Sequence, residues 1–308
     1  MKIAGVEIAK GENKEIKLFI AKLTSGIKIE VPIIVSRGLK DGPVLLLMAG
    51  LHGDEINSVD VIRHIIKLKI NQVDAGTVIC VPILNVFGFI NFSREVPDGK
   101  DVNRSFPGLL KGSLASQIAY HLTNTILPVC DYAIDFHTGG NSRFNTPQVR
   151  ATLDNQSCKD LADAFNAPFT LHSNIISKSL RETAIKKGKT IIVYEGGESL
   201  RFSKEAKNVA VTGIKKTLNY LNMRSFIEEK IESKTFYKSS WFRAPTSGFF
   251  HPILKLGEKV EISQRFGTIS GPFGDYQDNC IASKSGYIIT LNFNPMVNRG
   301  DAIIQIAY

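Results

Sequence analysis

The alternation of apolar strand-like runs with helical periodicity over residues 1–225 constrains this chain more than any other feature. Residues 44–48 form a continuous apolar run, typical of a strand that is buried on both faces. Residues 59–68 follow with apolar side chains at helical spacing. The same order recurs where the run 190–194 precedes the helical pattern 204–223. Strands that alternate with helices predict an α/β fold, with a mixed, mostly parallel sheet and helices on both faces.

The chain changes character at about residue 225. Helical periodicity disappears, and short apolar runs separated by Gly and Pro turns take its place. Residues 244–249 (APTSGF) resemble residues 282–287 (ASKSGY), which is a weak internal repeat. We therefore predict two domains, an α/β domain over residues 1–225 and a small all-β barrel or sandwich over residues 226–308.

The charge balance bears on the kind of ligand. Lys plus Arg exceed Asp plus Glu, 38 against 29, for a formal net charge of +9. The basic residues stand singly or in pairs, and there is no zinc finger or basic arm, so nucleic-acid binding is not expected. A small anionic substrate suits the charge better.

The expected cellular location follows from the lack of a membrane span, of a signal region and of paired cysteines in the sequence. No apolar run reaches the roughly 18 residues of a membrane span, and the first residues carry no apolar signal region. The four cysteines are scattered without a CxxC pair, which is typical of reduced thiols. We expect a cytoplasmic protein that does not act at a membrane, and homo-oligomer formation stays open.

The strongest chemical signal is the segment GLHGDE at residues 50–55. His52 and Glu55 lie three residues apart where a buried strand gives way to a helix, so both side chains can reach one point. His137 ends the next strand but one, and strand alternation turns Asp135 to the same face. Two His and one carboxylate are a zinc ligand set that leaves a coordination position open, and Asp135 could orient the imidazole of His137. The alternative is a set of solvated or capping groups, because each short motif is weak alone.

Two further segments carry reactive groups. Arg94, Asn103 and Arg104 lie in a long loop rich in Pro, Gly and Asp, where they could bind a carboxylate or polarise a carbonyl. Solvated surface arginines are the alternative. Glu195 is the first acid beyond the strand-like run 190–194, where it could act as a general base.

Taken in order, four motifs resemble the succinylglutamate desuccinylase and aspartoacylase family, a branch of the zinc carboxypeptidases. The motifs are GLHGDE, PDGKDVNRSFPG, DFHTGG and YEGGE, which span residues 50–198. The β-rich tail also looks like the C-terminal domain of that family.

The resemblance implies a role for each matching position. It implies one zinc ion per chain, held by His52, Glu55 and His137, with Glu195 as the general base. Asn103 and Arg104 would bind a substrate carboxylate, and Arg94 would polarise the scissile carbonyl. The C-terminal domain of the family can contribute a tyrosine to the pocket, for which Tyr276 is the candidate here.

The activity that the resemblance implies is hydrolysis of the amide bond of a small N-acyl amino acid or a related carboxylate-bearing amide. The alternative is a zinc carboxypeptidase that acts on peptides, which would use the same residues. A third reading, from another functional class, is a metal-free binding module that has kept the fold. The sequence does not identify the acyl group or the amino acid.

Overall fold

The structure is a computed structural model that describes residues 1–22, 25–227 and 230–308. The strands of these residues are β1 (Lys2–Ile3), β2 (Val6–Glu7), β3 (Asn13–Lys22), β4 (Lys28–Arg37), β5 (Lys40–Met48), β6 (Ala75–Val81), β7 (Tyr132–Gly139), β8 (Arg143–Ala151), β9 (Phe169–His172), β10 (Thr190–Glu198), β11 (Lys234–Phe236), β12 (Ser239–Arg243), β13 (Gly248–Pro252), β14 (Lys259–Val260), β15 (Arg265–Ser270), β16 (Gln277–Ile281), β17 (Gly286–Asn292), β18 (Met296–Val297) and β19 (Ala302–Ala307). The α-helices of the same residues are α1 (Ile56–Lys67), α2 (Val86–Ile90), α3 (Leu114–His121), α4 (Gln156–Phe165), α5 (Leu180–Lys186) and α6 (Lys204–Tyr220).

A 13-stranded mixed sheet forms the centre of the molecule, with the main order β12-β19-β17-β8-β10-β7-β5-β6-β4-β3. The middle strands β10, β7, β5 and β6 are parallel, whereas the strands on either side pair antiparallel. Because the parallel strands point the same way, their carboxyl ends meet at one edge, where such sheets bind ligands.

Helices cover both faces of this sheet, and the alternation of strand side chains shows how. In β5, Leu46 and Met48 pack into the core that includes helices α3 and α5. Leu45 and Leu47 point the other way, into the core of helices α1, α4 and α6. All four side chains are buried, which explains why the strand reads as an unbroken apolar run. The predicted fold class is confirmed.

The C-terminal strands both extend the central sheet and form a sheet of their own. Strand β17 pairs antiparallel with β8, and β19 and β12 continue outwards from it. Strands β16, β15, β13 and β18 form a separate four-stranded sheet. Residues 230–308 contain no helix, as the loss of helical periodicity predicts. The division at residue 225 stays a prediction, because the pairing of β17 with β8 joins the two segments.

The structure differs from the sequence-based expectation at two places, and a third expectation includes a residue outside the described ranges. The apolar pattern 114–127 predicts one helix, but α3 ends at His121 and a π turn and a 3-10 turn follow it, the latter over Leu127–Val129. Strands β8 and β9 were not anticipated from the sequence. The turn predicted over residues 24–26 includes Thr24, which lies outside the described residues.

The described residues bear on two predictions about the cellular setting, the lack of a membrane span and the reduced cysteines. None of the helices described is long and apolar enough to cross a membrane. The four cysteines are free and buried, and burial raises the pKa of Cys80 and Cys130 to about 12. Thiols in this state are chemically inert.

Candidate metal centre and active site

Three neighbouring parallel strands deliver the predicted residues to one edge of the sheet. The GLHGDE segment leaves the end of β5, His137 lies near the end of β7, and Glu195 lies near the end of β10. His137 and Glu195 are direct partners in the parallel register of β7 and β10, so their side chains rise side by side. Helix α1 begins immediately after Glu55, which turns His52 and Glu55 back towards the same edge.

Gly53 lets the GLHGDE segment pass close to the backbone of helix α2. A Cβ atom added at Gly53 would lie 1.9 Å from the backbone carbon of Gly88 and 2.0 Å from the backbone nitrogen of Phe89. No side chain can move aside here, because both contacts are backbone atoms. The segment can therefore hold His52 and Glu55 in place only with glycine at this position.

We expect Gly53→Ala to destabilise the protein by about 2–3 kcal/mol, the upper range for overpacking a tight site. The measurement is the thermal unfolding midpoint, which should fall by several degrees. Gly140→Ala is the matched control, since an added Cβ there meets only Arg94 Nη1, at 3.9 Å. Equal midpoints for the two variants would show that the contact of Gly53 with α2 is not tight.

His52, Glu55 and His137 converge on one point beneath the surface. His52 Nδ1 lies 2.7 Å from Glu55 Oε1, and His137 Nδ1 lies 2.9 Å from Glu55 Oε2. The two Nδ1 atoms are 3.2 Å apart. All three residues are buried, with at most 5 % of their surface exposed. Within the described residues, this is the group of His, Cys, Asp and Glu side chains whose ligand atoms come close enough to hold a metal ion.

Two outer carboxylates lie beside the imidazoles of the centre. His137 Nε2 lies 2.8 Å from Asp135 Oδ2, and His52 Nε2 lies 3.3 Å from Asp101 Oδ1. His137 Nε2 forms a hydrogen bond with Asp135, whereas His52 Nε2 is buried near Asp101 without a hydrogen bond. With the ring proton on each Nε2, the Nδ1 lone pairs are directed at each other and at Glu55. Lone pairs in that arrangement need a cation between them. The donor set therefore fits a metal ion.

The charges around the centre favour a cation as well. Burial raises the pKa of Glu55, but His52 and His137 outweigh it and hold that pKa well below its usual range. Burial lowers the pKa of His137, but Asp135 and Glu55 outweigh it and leave that pKa well above its ordinary value. The carboxylates thus stabilise positive charge among the three ligands, which is what a divalent ion supplies.

Arg94 lies against the same centre. Its Nη1 atom is 3.2 Å from His52 Nδ1 and 3.7 Å from Glu55 Oε1. Its Nε and Nη2 atoms donate to Asp101 Oδ2, at 3.2 and 2.8 Å. This two-point bond fixes the guanidinium plane, with Nη1 turned to the proposed ligands.

Asn103 and Arg104 lie in a 3-10 turn that Asp101 caps through a bond from Asn103 N, at 2.7 Å. The Asn103 Oδ1 atom accepts a hydrogen bond from Leu180 N, at 3.0 Å, which joins the loop to the start of α5. Arg104 is exposed, and its Nη1 donates to the carbonyl oxygen of Asn103. Both side chains reach the cavity that His52 and Glu195 line.

That cavity, of about 370 Å³, brings together Asp135 and the seven residues predicted to bind the metal, catalyse the reaction or bind the substrate. The seven residues are His52, Glu55, Arg94, Asn103, Arg104, His137 and Glu195. The sequence missed a second set that lines the same cavity, which is Arg143, Arg150, Arg181, Asn145, Trp241 and Thr290. Tyr276 does not line it; its hydroxyl group donates to the carbonyl oxygen of Ser247. The residues that reach the cavity from the C-terminal strands are Trp241 of β12 and Thr290 of β17.

The missed arginines have guanidinium atoms without partners. Arg181 is 7 % exposed, and its Nη1 atom is buried with no hydrogen-bond partner. The Nε atoms of Arg143 and Arg150 are also buried without a hydrogen-bond partner. Burial lowers the pKa of Arg181, and the positive charge of Arg150 lowers it further. Arg181 lies in the first turn of α5, where the helix dipole disfavours a cation, a signal that the sequence did contain.

Sequence comparison agrees with this geometry. The family model for the succinylglutamate desuccinylase/aspartoacylase catalytic domain matches residues 41–221, more than half of the chain. The chain belongs to this family. The match begins within β5 and ends just after α6, so it contains His52, Glu55, His137 and Glu195. The predicted resemblance is confirmed.

Individual proteins are similar to this chain in sequence or in fold. The chain is 27 % identical to an N-α-acetyl-L-2,4-diaminobutyric acid deacetylase from Halomonas elongata, over 91 % of this chain and 86 % of the relative. The fold of this chain is similar to that of the product-bound ectoine utilization protein EutE (DoeB) of Ruegeria pomeroyi, with a TM-score of 0.87 and 22 % identity. The comparison covers 98 % of this chain and 97 % of that chain. A succinylglutamate desuccinylase/aspartoacylase of Rhodobacter sphaeroides has a TM-score of 0.84 and 24 % identity, over 100 % and 99 % of the chains.

Proposed function

We propose that this protein is a zinc-dependent deacylase that hydrolyses the amide bond of a small, anionic N-acyl amino acid. The observation that carries the proposal is the convergence of His52, Glu55 and His137 in one cavity with Glu195. A zinc ion held by the first three would act as a Lewis acid and lower the pKa of a water molecule to about 7. We expect one such ion per chain.

Glu195 is the proposed general base. Its carboxylate accepts a proton from the attacking water and returns it to the leaving amine. Asn145 Nδ2 donates to its Oε2 atom at 2.8 Å, and Arg150 Nη1 lies 3.9 Å from its Oε1 atom. These contacts fix the carboxylate on the cavity wall beside His137, its partner in the sheet register.

Arg94, Asn103 and Arg104 are proposed to bind the substrate. Arg94 Nη1, which faces the metal ligands, would stabilise the negative charge that develops on the carbonyl oxygen. The bond from Leu180 N occupies Asn103 Oδ1, so the Nδ2 end of that amide would serve the substrate carboxylate. Arg104 would add a charge-assisted bond to the same carboxylate.

The charge of the cavity supports an anionic substrate. Five arginines line it, against Asp54, Glu55, Asp135 and Glu195, and a divalent ion would add further positive charge. The Halomonas elongata relative is named for a substrate with a free amine. In this chain, Arg150 and Arg181 would repel such an amine. We propose an acyl amino acid with an acidic side chain instead.

We expect Arg181→Gln to raise KM for an N-acyl amino acid with an acidic side chain about 10- to 100-fold. Loss of one charge-assisted bond has this magnitude. The KM for the matching substrate with a neutral side chain should change little, so the comparison of N-acetylaspartate with N-acetylalanine is the measurement. Equal changes for the two substrates would mean that Arg181 does not bind the side-chain anion.

The test of the proposed function combines metal content with amine release. The purified protein is assayed for zinc, and then with N-acetyl and N-succinyl amino acids, N-acetyl-2,4-diaminobutyrate and peptides with a free carboxyl end. We expect one zinc ion per chain and turnover of acyl amino acids with acidic side chains. Absence of zinc would overturn the mechanism, and faster cleavage of peptides would favour the carboxypeptidase alternative.

Trp241 and Thr290 support a small substrate over a peptide, because they bring the C-terminal strands to the cavity wall. The match to a deacylase family and the deacetylase relative also favour this choice. Nucleic acid and membrane are not proposed as partners. A cytoplasmic location stays a prediction, and the sequence leaves homo-oligomer formation open.

A further inference from the structure

We propose that strand β17 positions Glu195 through a two-step hydrogen-bond relay, Thr290 to Asn145 to Glu195. The proposal rests on the proposed function, since it assigns positioning residues to the proposed general base. Thr290 lies in the C-terminal segment and is not among the residues that the sequence motifs identify. Its role would explain why the C-terminal strands join the central sheet beside the active site.

The contacts form an unbroken line across three strands. Thr290 Oγ1 of β17 donates to Asn145 Oδ1 of β8, at 2.7 Å. Asn145 Nδ2 donates to Glu195 Oε2 of β10, at 2.8 Å. Thr290 and Asn145 are 1 % and 4 % exposed, so water does not readily replace either bond. A buried polar line of this kind is strong when every member has its partner.

The direction of the relay follows from the chemistry of its groups. An ionised Glu195 only accepts hydrogen bonds, so the Nδ2 end of Asn145 must face it. The Oδ1 end then faces Thr290 and needs a donor, which the hydroxyl group supplies. Without that hydroxyl group, Asn145 has a buried oxygen with no donor, and the amide can turn its oxygen towards Glu195. Two oxygens that face each other would push the carboxylate away from its place.

The sheet register sets these three residues in line. Thr290 is the direct partner of Asn145 in the pairing of β17 with β8, and Asn145 is the partner of Gly197 in the pairing of β8 with β10. Strand β8 has one extra residue between Asn145 and Gln148 relative to β10, which is a bulge. The bulge turns Asn145 towards Glu195.

Gln305 of β19 lies beside the outer end of the line. Its Oε1 atom lies 3.2 Å from Thr290 Oγ1 and accepts from Arg150 Nη2 at 3.5 Å, while its Nε2 donates to Ser239 Oγ at 3.0 Å. The Thr290 hydroxyl has one proton, and Asn145 is the nearer acceptor. Gln305 Oε1 is therefore the competing acceptor, at the longer distance, and the shorter contact favours donation to Asn145.

The test compares Thr290→Val, which removes the hydroxyl group at constant size, with Thr290→Ser, which keeps it. We expect Thr290→Val to lower kcat about five- to tenfold, the effect of one net hydrogen bond, with KM within about twofold. Thr290→Ser should stay within about twofold of the wild type. Thr217→Val is the control, because Thr217 is equally buried and donates to Gly213 O in α6, outside the cavity. It should cost stability without changing kcat.

A double variant distinguishes an effect of Thr290 on the position of Glu195 from a general structural effect of the substitution. If Thr290 acts through Glu195, then Thr290→Val should have no further effect on kcat in a Glu195→Gln background. Multiplying losses in that background, or a change confined to KM, would overturn the relay. Normal kcat in Thr290→Val beside a large loss in Glu195→Gln would overturn the relay and leave the proposed function intact.

A readout without substrate keeps the relay testable should the proposed function fail. The side-chain amide of Asn145 is followed by NMR and assigned from the signal that Asn145→Asp removes. The bond from Nδ2 to Glu195 should protect an Asn145 amide proton from exchange with solvent, and the bond from Thr290 to Oδ1 keeps the amide in the orientation that makes it. Thr290→Val should therefore speed that exchange at least about tenfold, whereas Thr217→Val should not. Fast exchange in the wild type would overturn the relay, whether or not the protein hydrolyses any substrate.

Discussion

Replacing Glu195 by glutamine is expected to lower kcat about 10²- to 10⁴-fold while the metal stays bound. The amide has the size of the carboxylate and can still accept the bond from Asn145, which the wild type makes at 2.8 Å. It cannot accept the proton of the attacking water. The loss should therefore fall on kcat, and KM should change little.

The control for this prediction is Glu198→Gln on the same strand. Glu198 forms an ion pair with Arg201 Nε at 3.0 Å and lies outside the cavity that Glu195 lines. Its variant should keep the wild-type kcat. Metal content and the thermal unfolding midpoint should be the same for both variants and the wild type. Near-normal turnover by Glu195→Gln would mean that another group is the base.

The residues of the candidate metal site could be predicted because strand ends position them. An apolar run followed by a polar residue marks the carboxyl end of a buried strand, and parallel strands bring such ends together. His137 and Glu195 follow this rule, and they lie side by side because they are partners in the register of β7 and β10. His52 and Glu55 add a short loop of fixed spacing before α1.

The second set of cavity residues could not be predicted in the same way. Strand β8 contains Pro147 and polar side chains, so its sequence is more typical of a loop than of a central strand. Asn145 and Arg150 are separated by an odd number of positions, so regular alternation would place them on opposite faces. The bulge in β8 places both against Glu195. A bulge is set by the pairing of strands and leaves no clear mark in the sequence.

The C-terminal contribution depends on contacts between distant parts of the chain. Thr290 and Asn145 are 145 residues apart, and only the pairing of β17 with β8 joins them. Tyr276 is a candidate only because the resemblance implies that the C-terminal domain can contribute a tyrosine to the pocket. Trp241 reaches the cavity instead, from β12, where it is the partner of Gln305 in the sheet register.

Replacing His52 by alanine is expected to abolish both metal binding and turnover. His52 Nδ1 is one of three candidate ligand atoms, so Glu55 and His137 alone would hold an ion weakly. The variant should contain less than about a tenth of the wild-type zinc, with turnover at least about 10³-fold lower, because the proposed mechanism depends on the ion. His251→Ala is the control, since His251 is exposed on β13 and should keep both.

Chelation of the wild type separates loss of the ion from loss of the imidazole. A protein that binds an ion only when folded is stabilised by that ion, so a chelator should lower the thermal midpoint of the wild type and added zinc should restore it. The midpoint of His52→Ala should respond to neither treatment. If zinc restored activity to His52→Ala, His52 would not be a ligand. If chelated wild type kept its activity, the metal would have no part in the reaction, and Glu195 and the arginines would have to carry it alone.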